Sequence, residues 1–280
     1  MAKIDYASEY NNRARVPEHP QIFAQWERDA AAYLAGLAAS RHLAMSYGST
    51  ARQTIDLFLA ESGPDAPLAV FIHGGWWRSL APPSFSHMAA GLNAHGIGVA
   101  VPGYDLCPQI GIADIIEEMR AALLLLWRTY GKRMLVYGHS AGGHLAAAMM
   151  ATDWPALAPG APADLVPAGY GISGVYDLLP LTQVSMNADF RLDAAGARAV
   201  SPLHWPAPRG FAFDAVVGAL ESSEFLRQSR AIADAWGKAG VTTRYEEIAG
   251  TNHFTVLAPL ADSRSAMVAR LIALAARLRG

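Results

Sequence analysis

The segment 138–142 reads Gly-His-Ser-Ala-Gly and fits the pattern G-x-S-x-G, which places a serine between two glycines. Glycines at these positions let a strand and a helix meet in a tight turn without Cβ clashes, and the turn holds the serine hydroxyl out at the strand end. The apolar run 134–137 precedes the motif, and an apolar helical pattern over 141–152 follows it. We therefore predict that Ser140 is a catalytic nucleophile; the alternative is a turn whose serine only caps a helix.

A serine nucleophile needs a general base, and a serine–acid–histidine order along the chain places that base in the C-terminal part. His253 lies there, in the loop 250–254 between a predicted strand and the last predicted helix. We predict that His253 is the base, because a histidine on such a loop can reach the strand end that carries Ser140. His139 is the variable residue of the serine motif, and His144 lies one helical turn beyond Ser140. The other histidines considered have no such setting: His19, His42, His87, His95 and His204.

The third member of such a triad is a carboxylate that accepts the imidazole N–H, fixes the tautomer and stabilises the imidazolium. Glu221 is the first carboxylate after the apolar run 215–217, and we predict it as this acid. Glu224 stays open as an alternative acid, and a further alternative is that both glutamates only favour the N-terminus of the next helix. Asp214 lies at the opposite end of the strand.

Negative charge that develops on a tetrahedral oxygen requires donors that already point at it. The segment 73–75, His-Gly-Gly, follows another apolar run. We predict that the N–H of Gly74 or Gly75 supplies one donor and the N–H of Ala141 the other. Which glycine donates stays open, and an ordinary glycine pair between strand and loop is the alternative. His73 is expected to be a structural hydrogen-bonding residue.

Two indole rings, Trp76 and Trp77, follow the predicted oxyanion segment and are candidates for the wall of a substrate pocket. Offset stacking on such rings favours an aromatic substrate. We expect at least one of the two to pack in the core instead. His139, next to Ser140, and Phe254, next to His253, are further pocket candidates; the alternative for Phe254 is that it only braces the loop.

Short, nearly continuous apolar runs alternate with helical patterns from residue 68 onward, as in parallel sheets that are covered on both faces. We predict an α/β fold with a mostly parallel, doubly wound sheet, helices on both faces and an antiparallel strand pair near one edge. The predicted strands are 42–47, 54–59, 68–72, 98–101, 134–137, 169–173, 215–217 and 242–248; the predicted helices are 21–37, 84–95, 113–130, 141–152, 224–238 and 256–278.

We predict one domain over residues 1–280. An N-terminal arm and helix occupy residues 1–40. The stretch 154–208 interrupts the alternation of strands and helices and holds eight of the 17 prolines. Insertions of this kind commonly cover the strand ends, so we predict a lid or substrate wall there.

The composition excludes several other classes of protein. With 22 Lys and Arg against 24 Asp and Glu, no basic excess favours a nucleic-acid partner. The single cysteine, Cys107, excludes an internal disulfide framework and a cysteine-cluster metal site. The longest aliphatic stretch, 123–127, is far shorter than the roughly 20 residues of a membrane span. We expect a cytoplasmic protein with no cofactor, metal, membrane or nucleic-acid partner; a homodimer stays open.

Four segments together resemble one branch of the α/β-hydrolase superfamily, the arylformamidases (kynurenine formamidases) and hormone-sensitive-lipase-like esterases. Segment 138–144, Gly-His-Ser-Ala-Gly-Gly-His, is similar to the serine motif of that branch. Segment 73–77, His-Gly-Gly-Trp-Trp, is similar to the oxyanion sequence of serine arylformamidases. Segment 221–229, Glu-Ser-Ser-Glu-Phe-Leu-Arg-Gln-Ser, resembles their stretch after the acid strand, and segment 10–13, Tyr-Asn-Asn-Arg, resembles the opening of the family. The resemblance extends over essentially the whole chain.

The resemblance implies an α/β-hydrolase fold and a metal-free serine hydrolase that releases formate and kynurenine from N-formylkynurenine. At one position the chain departs from the family, since the acid is usually aspartate and Glu221 is one methylene longer. A carboxylesterase acting on small aryl or short-chain esters is therefore the alternative. A third hypothesis is a ligand-binding protein on a hydrolase fold, because fold does not determine function. The presence of all three predicted triad residues argues against it.

Overall fold

Eight strands form one mixed sheet in the computed structural model, which describes residues 4–279. Their order across the sheet is β1-β2-β4-β3-β5-β6-β7-β8; β4 and β3 and the strands beyond them are parallel, whereas β2 runs antiparallel to both β1 and β4. The strands are β1 (His42–Ser46), β2 (Thr54–Phe58), β3 (Leu68–Ile72), β4 (Gly98–Pro102), β5 (Met134–His139), β6 (Ala168–Ile172), β7 (Ala212–Gly218) and β8 (Thr242–Ile248).

Helices of very different length connect these strands. The α-helices are α1 (Tyr6–Glu9), α2 (Asn12–Arg15), α3 (His19–Gly36), α4 (Ala90–Asn93), α5 (Ile112–Tyr130), α6 (Ala141–Met150), α7 (Trp154–Leu157), α8 (Asn187–Phe190), α9 (Ala194–Ala199), α10 (Ser223–Lys238) and α11 (Ala266–Ala275). The 3₁₀ helices are Ala39–Arg41, Gly63–Asp65, Pro82–Ala89, Leu179–Gln183, Pro202–His204, Thr255–Ala261 and Ala276–Arg279.

Both faces of the sheet are buried, which explains the continuous apolar runs. Successive side chains of a strand point to opposite faces. In β3, Leu68, Val70 and Ile72 belong to one hydrophobic cluster, and Ala69 and Phe71 belong to the other. Helices α5, α6 and α10 complete the first cluster, and α3, α4 and α11 complete the second. The predicted α/β class, with a mostly parallel sheet between helices and an antiparallel pair at one edge, is confirmed.

Two predicted helices are wrong in detail. The pattern 84–95 forms a 3₁₀ helix over Pro82–Ala89 followed by only one α-helical turn, α4. The pattern 256–278 is split into a 3₁₀ helix, Thr255–Ala261, and α11. Pro259 lies within the 3₁₀ helix and has no N–H to donate. Ser265 then caps the N-terminus of α11, because its hydroxyl accepts from the Val268 N–H at 3.1 Å.

The predicted N-terminal arm and helix (1–40) and the predicted lid or insertion (154–208) differ in their relation to the sheet. Residues 4–40 form α1, α2 and α3 outside the sheet. The stretch 154–208 includes β6, a central strand between β5 and β7, with α7 before it and α8 and α9 after it. A lid formed by the remainder of that stretch stays a prediction.

Among the helices of residues 4–279, none combines the length and the apolar character that crossing a membrane requires.

Candidate active site

Ser140 occupies the sharp turn between β5 and α6. Its backbone has φ 56° and ψ −116°, which a non-glycine residue rarely adopts. The neighbouring glycines are necessary for this turn, because a Cβ on Gly138 would collide with the Gly142 carbonyl and a Cβ on Gly142 with the Ile72 carbonyl. The motif therefore has the strand–turn–helix context that a nucleophile requires.

His253 is joined to Glu221 by a short hydrogen bond. The distance from His253 Nδ1 to Glu221 Oε2 is 2.7 Å, and the two side chains are 5% and 0% exposed. A carboxylate oxygen accepts, so Nδ1 donates in this bond and Nε2 is the nitrogen that remains for proton transfer. This bond fixes the tautomer that a general base needs.

The other oxygen of the Glu221 carboxylate has two donors of its own. Glu221 Oε1 accepts from Ser173 Oγ at 2.5 Å and from the Gly218 N–H at 2.7 Å. Ser173 follows the end of β6, next to the end of β7, and its φ is 52°. Ser173 was not predicted as a site residue; the signal for it in the sequence is a hydroxyl directly after a strand adjacent to the acid strand.

The two alternative acids have other partners. Glu224 lies in the first turn of α10, where its carboxylate accepts from Tyr10 OH at 2.9 Å and from Arg227 Nε at 2.8 Å. Asp214 lies inside β7 and accepts from Arg270 Nε at 2.6 Å. Of the three carboxylates, Glu221 is the one bonded to His253.

Three further buried histidines surround the serine turn as neutral rings. Burial lowers the pKa of His73 and of His144 to about 4. Burial and then the nearby His253 hold the pKa of His139 well below its usual value. His139 Nε2 donates to the His253 carbonyl at 2.7 Å, and His144 Nε2 donates to the Val200 carbonyl at 2.7 Å. His139 thereby supports the loop that carries His253.

The predicted oxyanion residues lie around the serine turn. Gly74 packs so closely that a Cβ there would lie 2.8 Å from the His139 carbonyl and 3.1 Å from Ser140 Cβ. Gly75 has φ 113°, which favours glycine, and it lines the same cavity as Ser140. Ala141 is the first residue of α6, so its N–H has no partner within the helix.

One cavity contains both Ser140 and His253, and most of its side-chain wall is aromatic or apolar. The ring centroids of Phe23 and Phe254 lie 5.1 Å apart at an interplanar angle of 89°. Phe23 and Trp26 are separated by 5.0 Å. The cavity is lined by Asn12, Arg13, Phe23, Trp26, Gly75, Trp76, Ser79, Leu80, His139, Ser140, His253 and Phe254.

The two tryptophans of the oxyanion segment have different environments. Trp76 is half-buried and lines the cavity. Trp77 as a pocket residue is a prediction that the structure corrects, because its side chain is fully buried and packs edge-on against His144, with centroids 5.0 Å apart. Both have positive φ, 56° and 53°, so the chain turns between them and places the two rings differently.

One whole wall of the cavity was not predicted from the sequence. Asn12, Arg13, Phe23 and Trp26 come from the N-terminal arm and α3. Among the described lining residues, none belongs to the stretch 154–208. The segment 10–13 was noted for its resemblance to the family, but its place in the cavity depends on contacts with distant residues.

Within residues 4–279, no group of three or more His, Cys, Asp and Glu side chains is placed to hold a metal ion.

The chain matches the α/β-hydrolase fold family over residues 69–257. It is 28% identical over 227 residues to the kynurenine formamidase of Danio rerio, a match that covers 77% of this chain and 75% of that protein. It is 29% identical over 226 residues to the kynurenine formamidase of Drosophila melanogaster, covering 76% and 74%.

A solved structure shares the fold at higher identity. A protein from Silicibacter sp. TM1040, proposed to be a thioesterase, superposes with a TM-score of 0.84 and 33% identity, covering 96% of this chain and 100% of that one. The family match over residues 69–257 extends from β3 to the 3₁₀ helix after His253. The chain therefore belongs to the α/β-hydrolase fold family and is a hydrolase.

Proposed function

We propose that this hydrolase is a serine arylformamidase that converts N-formylkynurenine to kynurenine and formate. The observation that carries the proposal is one aromatic-walled cavity that contains Ser140 and His253, with His253 bonded to the buried Glu221. Kynurenine formamidases that align over about three quarters of the chain support the same activity.

In the acylation step, Ser140 Oγ attacks the formyl carbon. His253 Nε2 accepts the hydroxyl proton, because Nδ1 already donates to Glu221. The imidazolium that results is stabilised by the Glu221 carboxylate, which Ser173 and the Gly218 N–H hold in place. The negative charge on the former carbonyl oxygen is bound by the N–H of Ala141 and that of Gly74 or Gly75.

The C–N bond then breaks, and His253 returns its proton to the aniline nitrogen, which leaves as an amine. A formyl ester remains on Ser140. A water molecule, deprotonated by His253, attacks this ester and releases formate with the regenerated serine hydroxyl. The aryl group contacts the rings of Phe23, Trp26, Trp76 and Phe254, which offer edges and faces at stacking distances.

A second candidate function is the hydrolysis of small aryl or short-chain esters. The solved relative at 33% identity is proposed to be a thioesterase, and thioesters resemble esters in having a good leaving group. Such substrates need less help from His253 as an acid, so the same residues would cleave them. The two candidates differ in the substrate that reacts fastest, not in the residues that react.

The test is steady-state hydrolysis of N-formyl-L-kynurenine and of phenyl acetate by the same protein, pretreated with a chelator. We expect the formamide to have the larger kcat/KM, and Ser140→Ala to reduce that value about 10⁴-fold or more. Thermal unfolding of Ser140→Ala reports whether the variant is folded.

Each other result has a definite meaning. Phenyl acetate turnover that exceeds formamide turnover by orders of magnitude would identify an esterase with the same triad. Loss of activity after chelation, or full activity in folded Ser140→Ala, would refute the serine mechanism.

A further inference from the structure

Part of the wall of the catalytic cavity comes from the N-terminal arm, and this part also borders a second cavity. Asn12 and Arg13 line both cavities, together with Trp76 and Ser79. The two cavities therefore adjoin at these four residues. If a substrate is longer than one aromatic ring and its formamide lies at Ser140, its opposite end is directed toward the N-terminal arm.

Asn12 offers an unused donor at this junction. The residue is 4% exposed, and its Nδ2 has no hydrogen-bond partner within residues 4–279. Buried amide groups are nearly always paired, because an unpaired donor loses its bonds to water without replacement. A donor left unpaired beside a substrate cavity indicates that a ligand supplies the acceptor.

Arg13 brings an unneutralised positive charge to the same place. Its guanidinium carbon lies 5.9 Å from the centroid of the Phe23 ring, which is part of the catalytic wall. The described lining residues of both cavities include no Asp or Glu. Arg78, the other cation of the second cavity, is paired with Asp189 at 2.5 Å, whereas no ion pair involves Arg13 in the described part of the chain.

The arm is held in place by contacts with α10. Glu9 Oε2 accepts from Ser223 Oγ at 2.7 Å and from the Glu224 N–H at 2.9 Å. Tyr10 OH donates to Glu224 Oε2 at 2.9 Å, and the Tyr10 ring meets Trp76 edge-on with centroids 5.8 Å apart. Asn12 and Arg13 are therefore positioned before a ligand binds, which reduces the entropy cost of recognition.

We propose that Asn12 and Arg13 form a subsite for a carboxylate at the non-reacting end of the substrate, so that the enzyme selects aryl formamides that carry such a group. This inference rests on the proposed function for its substrate class. An amide N–H and a guanidinium are donors that suit carboxylate oxygens, and Arg can offer two parallel bonds. Asn12 and Arg13 determine specificity and take no part in the bond-breaking steps.

The deciding experiment measures binding without turnover, so that it does not depend on the activity proposed above. The ligands are 4-(2-formamidophenyl)-4-oxobutanoate and its carboxamide, which match in shape and differ in one negative charge. Dissociation constants are measured by calorimetry on the Ser140→Ala protein. Three further substitutions are added to that background: Arg13→Gln, Asn12→Asp, and Arg28→Gln as a control, since Arg28 is an exposed residue of α3 outside both cavities.

We expect the carboxylate to bind Ser140→Ala about tenfold or more tightly than the carboxamide. Arg13→Gln and Asn12→Asp should each remove this preference while carboxamide binding changes less than about twofold, and Arg28→Gln should leave both constants unchanged. The preference should also shrink at high salt, because screening weakens an exposed charge contact.

Two results would overturn the proposal that Asn12 and Arg13 form a carboxylate subsite. Equal affinity of Ser140→Ala for the two ligands would show that the cavity does not select a carboxylate. An equal loss of affinity for both ligands in Arg13→Gln and Asn12→Asp would assign these residues a structural role only. Neither result bears on whether the active protein hydrolyses formamides, which the kinetic test decides separately.

Discussion

Two buried carboxylates lie near the opposite ends of one strand, β7, and differ in almost every other respect. Asp214 lies near its beginning and Glu221 three residues beyond its end, and both side chains are 0% exposed. Asp214 is bonded through both oxygens to Arg270, at 2.6 and 2.9 Å. Glu221 is bonded to His253, Ser173 and the Gly218 N–H.

The partner determines what each carboxylate can do. An arginine is charged at every accessible pH, so the Asp214 pair is a permanent ion pair that connects β7 to α11. A histidine can exist neutral or charged, so the Glu221 pair can gain and lose a positive charge during a reaction. The beginning of β7 therefore serves stability, and its end serves the proposed chemistry, as is typical for parallel α/β sheets.

The largest effect expected is on the Glu221 side of the comparison. Glu221→Gln keeps the shape but cannot stabilise an imidazolium, and its amide favours the wrong histidine tautomer. We expect kcat for the best substrate to fall about 10⁴-fold. If Glu221→Gln keeps a kcat within tenfold of the original protein and its thermal unfolding is unchanged, Glu221 is not a member of the triad. The Glu221 and Asp214 carboxylates would then both be structural.

On the Asp214 side, removal of the partner should affect stability and not catalysis. Arg270→Ala leaves a buried, unpaired carboxylate, so we expect the free energy of unfolding to fall by about 3 kcal/mol. The kcat/KM of the folded fraction should stay within about twofold. Arg264→Ala is the control, since this arginine pairs with Asp262 while its side chain is 92% exposed, and it should change stability by less than about 0.5 kcal/mol. A large change of kcat in Arg270→Ala would show that the beginning of β7 also affects catalysis.

A smaller effect is expected from Ser173, whose hydroxyl donates to the Glu221 carboxylate. Ser173→Ala removes one donor to Glu221 Oε1 and leaves the Gly218 N–H in place. We expect kcat to fall about tenfold, with KM nearly unchanged. Ser229→Ala is a suitable comparison, because its buried hydroxyl has no partner within the described residues. An equal kcat for the two variants would show that Ser173 contributes nothing to catalysis beyond the triad of Ser140, His253 and Glu221.

The smallest effect concerns the free energy of unfolding at acidic pH, to which two buried histidines near the serine turn contribute. His73 and His144 have pKa values of about 4 in the folded protein, below the value of about 6.5 for an exposed histidine. The unfolded chain therefore binds more protons between these pH values, and the free energy of unfolding falls as pH decreases from 6.5 toward 4. His144→Asn should reduce this slope by at most about 1.4 kcal/mol per pH unit. Urea unfolding at several pH values between 4 and 6.5 measures how the free energy of unfolding depends on pH. The control is His95→Asn, because His95 is exposed. A pH dependence that His144→Asn leaves unchanged would contradict the prediction.

Features with a local physical cause were predicted from the sequence. The run Leu68–Ile72 is apolar at every position because β3 is buried on both faces, and its bounds were predicted residue for residue. The glycines around Ser140 predicted the tight turn, because any side chain there would collide with a neighbouring backbone. The order of Ser140, Glu221 and His253 along the chain predicted that Glu221 and His253 would meet, since parallel strands end at one edge.

Features that depend on side chains far apart in sequence were not predicted. Asn12 and Arg13 line the cavity because Glu9 and Tyr10 are bonded to α10, and no local pattern encodes such a contact. Trp77 lies in the core and Trp76 in the cavity wall because of two successive positive φ values, which neighbouring residues impose. The pattern 84–95 is apolar enough for an α-helix, yet it forms a 3₁₀ helix followed by one α-helical turn, and no local residue accounts for this.

The attachment of the arm to α10 has a consequence for the order of events during synthesis. Tyr10 and Glu224 are separated by 214 positions, and His253 is made later still. A nascent chain that has just exposed its serine turn lacks the proposed acid, the proposed base and the helix that anchors the arm. Contacts so distant in sequence close slowly, because the intervening chain must be ordered first. Under the proposed roles, hydrolysis begins only after the segment that carries His253 has left the ribosome and folded, so the growing chain has no working nucleophile before then.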